Sequence, residues 1–203
     1  MRRAFGWGIA AVAMLVTATA TATGAAAGAA DRSPARVTGS AEFVLPYGQD
    51  GDVRSFAFDV RSAPYSRTIV LPGGEEVSSP ADATGTVWVA HRLATQNITV
   101  RFEAAVDCMI TSPGHATLTG IVTRADEMAS EHLGKRVGFS VQDGGRGRDR
   151  VGFTWSASFD QDEAGSWGPA RIGTCLAPAA FATVSRGDYT VRHAELTAPP
   201  DGD

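Results

Sequence analysis

Lysine is almost missing from this chain of 203 residues: of its 18 basic residues only Lys135 is a lysine. An arginine-dominated set suits phosphate or carboxylate recognition, but genomic base composition accounts for it as well and is the reading we favour. Positive charge is short overall, with 22 acidic residues and a net charge of −4. That balance argues against a nucleic-acid partner and against adhesion to an anionic membrane. There are only 2 cysteines, Cys108 and Cys175, too few for a cysteine-built metal site. No Gly-x-Ser-x-Gly elbow, no Gly-x-x-x-x-Gly-Lys-Ser/Thr phosphate loop and no His-Glu-x-x-His zinc motif occurs. These absences count against the common hydrolases and nucleotide enzymes, though not against a convergent site. No motif calls for a cofactor, and there is no strong internal repeat.

Long hydrophobic runs are also lacking. The apolar stretch from Phe5 to about Val16 is too short for a membrane span. With Arg2 and Arg3 before it and small-residue sites such as Ala20-Thr21-Ala22, Ala25-Ala26-Ala27 and Gly28-Ala29-Ala30 after it, it reads as a secretory signal peptide. Residues 1–30 are therefore expected to be removed, with cleavage between 22 and 30. A retained anchor is the weaker alternative. No cysteine near the cleavage region offers a lipid attachment point, and Arg2-Arg3-Ala4-Phe5 fits a twin-arginine core only loosely. Losing Arg2 and Arg3 takes the net charge from −4 to −6.

What is present is alternation. Ile98, Val100, Phe102, Ala104, Val106, Cys108 and Ile110 share one parity; Thr99, Arg101, Glu103, Asp107 and Thr111 fall on the other. That period belongs to a strand with one buried face. Ser112-Pro113-Gly114-His115 turns the chain, and Ala116, Leu118 and Val122 resume the pattern. Further strands are expected at Val37–Leu45, Arg54–Arg61 (Phe56, Phe58 and Val60 inward, Arg54 and Asp59 outward), Thr86–Leu93, Val137–Gln142, Val151–Ser158 and Tyr189–Glu195. Arg67–Leu71 is a possible short edge strand. Ala125–Leu133, with early acids and Gly134 at its stop, reads as a short helix. Eight sequential amphipathic strands predict an all-β domain over residues 31–196, an eight-stranded antiparallel up-and-down β-barrel with a β-sandwich as the alternative. Residues 197–203 read as a frayed tail.

The two cysteines are expected to form a disulfide, as an even pair in an exported chain usually does. A reactive thiol or a metal ligand is the alternative. The bond would pin the long excursion Asp160–Gly187 to the central hairpin.

Arg54-Ser55-Phe56-Ala57-Phe58-Asp59, Val106-Asp107-Cys108, Gly134 to Val141, Gly147 to Phe153, Gly173-Thr174-Cys175 and Tyr189 to His193 together resemble a family of exported bacterial domains of unknown function. Some members of that family are labelled "repetin". The resemblance spans about residues 37–195. It implies export and an all-β fold, and brings no activity or catalytic residue with it.

His91 and His193 lie on the apolar parity of their strands and are the candidate acid–base groups for an enzyme working inside the barrel. A hydrogen-bonded core or rim histidine is the weightier reading of each. His115, in a turn, and His132, in the helix, are expected at the surface. Asp160 and Asp162, in Asp160-Gln161-Asp162-Glu163-Ala164-Gly165, are weak calcium candidates, since the later ligands of a calcium loop are missing; Asp50-Gly51-Asp52 is thinner still. Asp143–Asp149 could bind an anion through Arg146 and Arg148 but reads better as a hairpin turn. Asn97-Ile98-Thr99 matches a glycosylation acceptor. The function expected is that of a secreted, non-catalytic domain holding a small apolar ligand in the barrel mouth or meeting an extracellular partner through its long loops. An enzyme with an interior site and a structural cell-envelope component are the alternatives.

Overall fold

A computed structural model describes residues 33–199, apart from 49, 146, 147, 156 and 157. The expected signal peptide, residues 1–30, and Arg146 of the anion-loop reading lie outside the described residues. The strands in chain order are β1 (Arg36–Phe43), β2 (Val53–Ser62), β3 (Ile69–Val70), β4 (Glu76–Val77), β5 (Ala83–Leu93) and β6 (Ile98–Ser112). They continue with β7 (His115–Ala125), β8 (Arg136–Gln142), β9 (Arg150–Phe153), β10 (Phe159–Gln161), β11 (Trp167–Pro169) and β12 (Ala182–Arg192). The short helix is a 3-10 helix, Glu127–His132, between β7 and β8.

Eight strands close into a barrel in the order β1-β12-β9-β8-β7-β6-β5-β2, and β2 returns to β1. Every neighbouring pair is antiparallel, so the topology is up-and-down and the sheet closes on itself. β3–β4 and β10–β11 form separate two-stranded hairpins. The edge strand expected at Arg67–Leu71 thus pairs with its own neighbour instead of with the barrel.

The barrel axis is filled by aromatic rings. Phe56 meets Phe43 edge-on at 4.9 Å, Phe153 at 5.4 Å and Phe139 at 5.6 Å. Phe58 meets Tyr189 at 5.3 Å. All of these side chains are buried, and each buried ring contributes roughly 1.5–3 kcal/mol by leaving water. The alternating positions of β1, β2, β5, β7, β8, β9 and β12 supply them and their aliphatic neighbours, as their period requires.

Three local readings change. The register of β6 on β7 slips between Val106 and Cys108, so Asp107 is an extra residue in a β-bulge. The bulge reverses the parity: Met109 enters the core at 2% exposure, whereas Ile110, expected inside, is 43% exposed. Cys108, also expected inside, is buried but stands outside the core cluster, on the outer wall. Arg54, expected outside, shares the parity of Phe56 and is buried at the barrel end, its charge met by Asp50 at 3.0 Å. The closing strand begins at Ala182, earlier than the expected Tyr189, and ends before His193.

β9 is too short to cover β12, and the β8–β9 loop makes up the difference. Asp149 Oδ2 accepts the Tyr189 amide at 2.7 Å and Asp143 Oδ2 accepts the Val191 amide at 3.1 Å. Two carboxylates thereby take the place of a partner strand's carbonyls. Their charge raises the pKa of neighbouring Asp188, chiefly through Asp149.

Candidate ligand site at the barrel mouth

The aromatic filling stops short of one barrel end. There β2 begins, β5 ends and β6 begins, and the 3-10 helix crosses above them. Between them lies a cavity of about 200 Å³. Phe56, Val89, Leu93, Val100 and Phe102 project into it from the strands, Met128 and Ala129 from the helix, and Trp155 from the segment after β9. Arg54, His91 and His132 complete the lining. Ala129 is buried in the core cluster and anchors the helix over the mouth.

Two polar side chains on this lining, His91 and Arg54, are already engaged. His91 Nε2 is 2.7 Å from Asp52 Oδ2, an arrangement in which the ring donates to the carboxylate. Asp52 is 6% exposed, and its Oδ1 accepts the Ala94 amide at 2.8 Å. Arg54 donates to Asp50 Oδ2 at 3.0 Å and stands 3.9 Å from Asp52. That hydrogen bond with Arg54 holds the Asp50 carboxyl below its ordinary pKa. The acidic turn read as a thin calcium loop is therefore an anchor for an arginine and a histidine at the rim.

His132, expected at the surface, packs its ring against Phe102 at 5.5 Å and Trp155 at 6.3 Å. Burial lowers its pKa below the usual 6.5, and nearby Lys135 lowers it further against the opposing pull of Glu131. The signal in the sequence was the spacing of Ala129 and His132, three apart on one helical face.

His193 does not join His91. It follows β12, with Nδ1 3.0 Å from Thr111 Oγ1 and Nε2 3.0 Å from Glu195. Thr111 lies near the β6–β7 turn, well past Ala105, which pairs with Thr86 at the far end of β5 from His91. The two histidines thus sit at opposite ends of the barrel, and no interior acid–base pair forms between them.

Asp160 and Asp162 shape the β10–β11 hairpin. Asp162 Oδ1 accepts the amides of Ala164 and Ser166 at 3.0 and 2.8 Å, and Asp160 accepts the amide of Gln161 at 2.8 Å. Among the described residues no group of three or more His, Cys, Asp or Glu side chains could hold a metal ion.

Cys108 and Cys175 form a disulfide with a sequence separation of 67. Around it lies an ionic cluster that sequence reasoning missed. Asp107, displaced by the bulge, accepts from Thr119 Oγ1 at 2.6 Å and from Arg136 at 2.8 Å. Thr119 in turn accepts the Cys175 amide at 3.0 Å. Arg67 donates to fully buried Asp82 at 2.7 Å and also to the Asp107 carbonyl. The connection over residues 62–84 and the excursion Asp160–Gly187 are thereby fastened to the outside of β6 and β7. No family model matches the chain, and neither a curated protein nor a solved structure is significantly similar to it. No helix among the described residues is long and apolar enough to cross a membrane.

Proposed function

We propose that this is an exported, non-catalytic binding domain that takes a small apolar molecule, or the apolar end of a larger one, into the barrel-mouth cavity. The observation that carries the reading is the lining: eight apolar or aromatic residues around about 200 Å³, with Arg54 and His91 already paired with Asp50 and Asp52. A dry apolar hollow of this order accommodates a single aromatic ring. Export is supported by the leader-like segment 1–30 and by the disulfide, which suits an oxidising compartment. The family resemblance in the strands adds no activity.

One observation favours the enzymatic alternative: His91 is oriented by a buried carboxylate, as general bases often are. Among the described residues the cavity lining offers it no serine, threonine or cysteine nucleophile. Binding is therefore the better-supported reading.

The test is a titration of the mature domain with toluene, followed by methyl and indole NMR shifts. Saturable shifts at Val89, Val100 and Trp155, abolished by Val100→Trp, are expected. Shifts that fail to saturate, or that survive Val100→Trp, would reject the mouth as a ligand site.

A further inference from the structure

A second hollow, of about 640 Å³, lies outside the mouth. That volume is in the range of small-molecule sites. The barrel forms one wall through Ile121 on β7 and Val137 on β8, with Trp155 beside them. Residues 169–172 of the long excursion form the other. That wall is held in place by Arg136, whose Nη1 donates to the Ile172 carbonyl at 3.3 Å, and by the disulfide three residues further on.

The charges on this lining are uneven. Arg136, Lys135 and Arg171 are cationic, and Glu131 is the one acid. Arg136 is neutralised by Asp107 at 2.8 Å. Glu131 lies beside His132, 3.8 Å from its Nε2. No ion pair involves Lys135 or Arg171 among the described residues. The single lysine of an acidic chain therefore lines, with an unpaired arginine, a hollow that also presents an indole and aliphatic side chains. After Arg136 and Asp107 cancel, the lining carries one net positive charge, which matches a monoanion.

We infer that this groove binds a small organic carboxylate with an aromatic or aliphatic body. Its charge is met by Lys135 and Arg171 and its body packs on Trp155 and Ile172. An indole face and aliphatic walls give such a body an apolar surface to cover, while cations beside low-dielectric walls attract the carboxylate more strongly than they would in open water. His132 and Trp155 belong to both linings, but the solvent-exposed cations Lys135 and Arg171 line the groove alone. The inference does not depend on the mouth cavity being occupied.

The experiment compares 1-naphthoate with its neutral counterpart 1-naphthamide, titrated into the mature, oxidised domain at low salt and followed by NMR. Naphthoate is expected to bind at least about tenfold more tightly. The double variant Lys135→Met/Arg171→Met should erase that advantage and leave naphthamide binding unchanged. Added salt should weaken naphthoate alone. Both substituted residues are exposed, so the fold should persist, as far-ultraviolet circular dichroism can check. Equal affinities, an advantage that survives the double variant, or no saturable naphthoate shift up to millimolar concentration would overturn the assignment. A further variant, Leu93→Trp, fills the mouth and should leave naphthoate binding intact. Loss of the naphthoate preference in that variant would place the anion in the mouth and likewise overturn the groove site.

Discussion

Asp52 holds the His91 ring at 2.7 Å through one carboxylate oxygen and the Ala94 backbone through the other. A buried carboxylate with both oxygens occupied is a fixed joint. It ties the start of β2 to the end of β5 and sets the rim of the cavity. Removing it strands a histidine, an amide and part of the environment of Arg54 in a partly buried place. Asp52→Ala should therefore cost about 2–3 kcal/mol, the penalty of leaving buried polar groups unpaired. His91→Gln, which keeps a donor, should cost about 1 kcal/mol or less. Urea denaturation with an unchanged slope is the measurement. Equal costs for the two variants would mean that Asp52 serves only the histidine.

The bulge at Asp107 makes a sharp prediction about its neighbours. Met109 is 2% exposed and belongs to the core, while Ile110 is 43% exposed. Met109→Ala should cost about 2–5 kcal/mol, as for a truncated core side chain, and Ile110→Ala no more than about 0.5 kcal/mol. Unbroken alternation through Cys108 would reverse the two. Chemical denaturation of both variants decides between the registers.

Residues far from such irregularities show how much of this fold is written locally. Phe56, Phe58, Val60, Val87, Val89, Phe139 and Val141 occupy the core at the positions their period demands. Eight amphipathic strands in sequence closed into the expected barrel, because each pair is joined in order and the last lies beside the first. Period alone cannot register an inserted residue. A bulge leaves no mark in composition, so Cys108 and Ile110 continued a pattern that the backbone breaks. The site was less legible for a related reason. His91 was singled out by parity, but its partner Asp52 sits in a turn and reads as turn chemistry. His132 and Trp155 come together only through closure of the barrel, and the charges on the groove depend on where residues 169–172 return to the wall.

The disulfide joins residues 67 apart, and its removal should lower stability by about 4 kcal/mol in the chain-entropy view. Its local effect should exceed its global one around the excursion, because Cys175 also donates its amide to Thr119. Cys108→Ala/Cys175→Ala should thus speed amide exchange in residues 158–181 more than in β2 and β5. Hydrogen exchange with mass spectrometry reads this directly. Uniform acceleration across the barrel would show that the bond supports the whole fold evenly, and would detach the groove wall from any control by the disulfide.

His132 couples the mouth to pH. Burial against Phe102 and Trp155 lowers its pKa below 6.5. The unfolded chain then takes up a proton near 6.5 that the folded chain still refuses. In that window the unfolded state binds more protons, so stability rises with pH: it is complete above 6.5 and is lost as pH falls from there toward the lowered folded value. His132→Phe retains an aromatic ring beside Phe102 and Trp155 and removes the titration. Its stability relative to the native sequence should therefore improve progressively between pH 7.5 and 5.5. Asp50, held below the ordinary carboxylate value by its hydrogen bond with Arg54, and Asp188, raised above it by the charge of Asp149, are common to both proteins, so the difference between the two curves isolates His132. Urea midpoints at pH 7.5, 6.5 and 5.5 supply that difference. A difference that stays constant across the three would mean that the ring is as free to take a proton in the fold as it is in the unfolded chain.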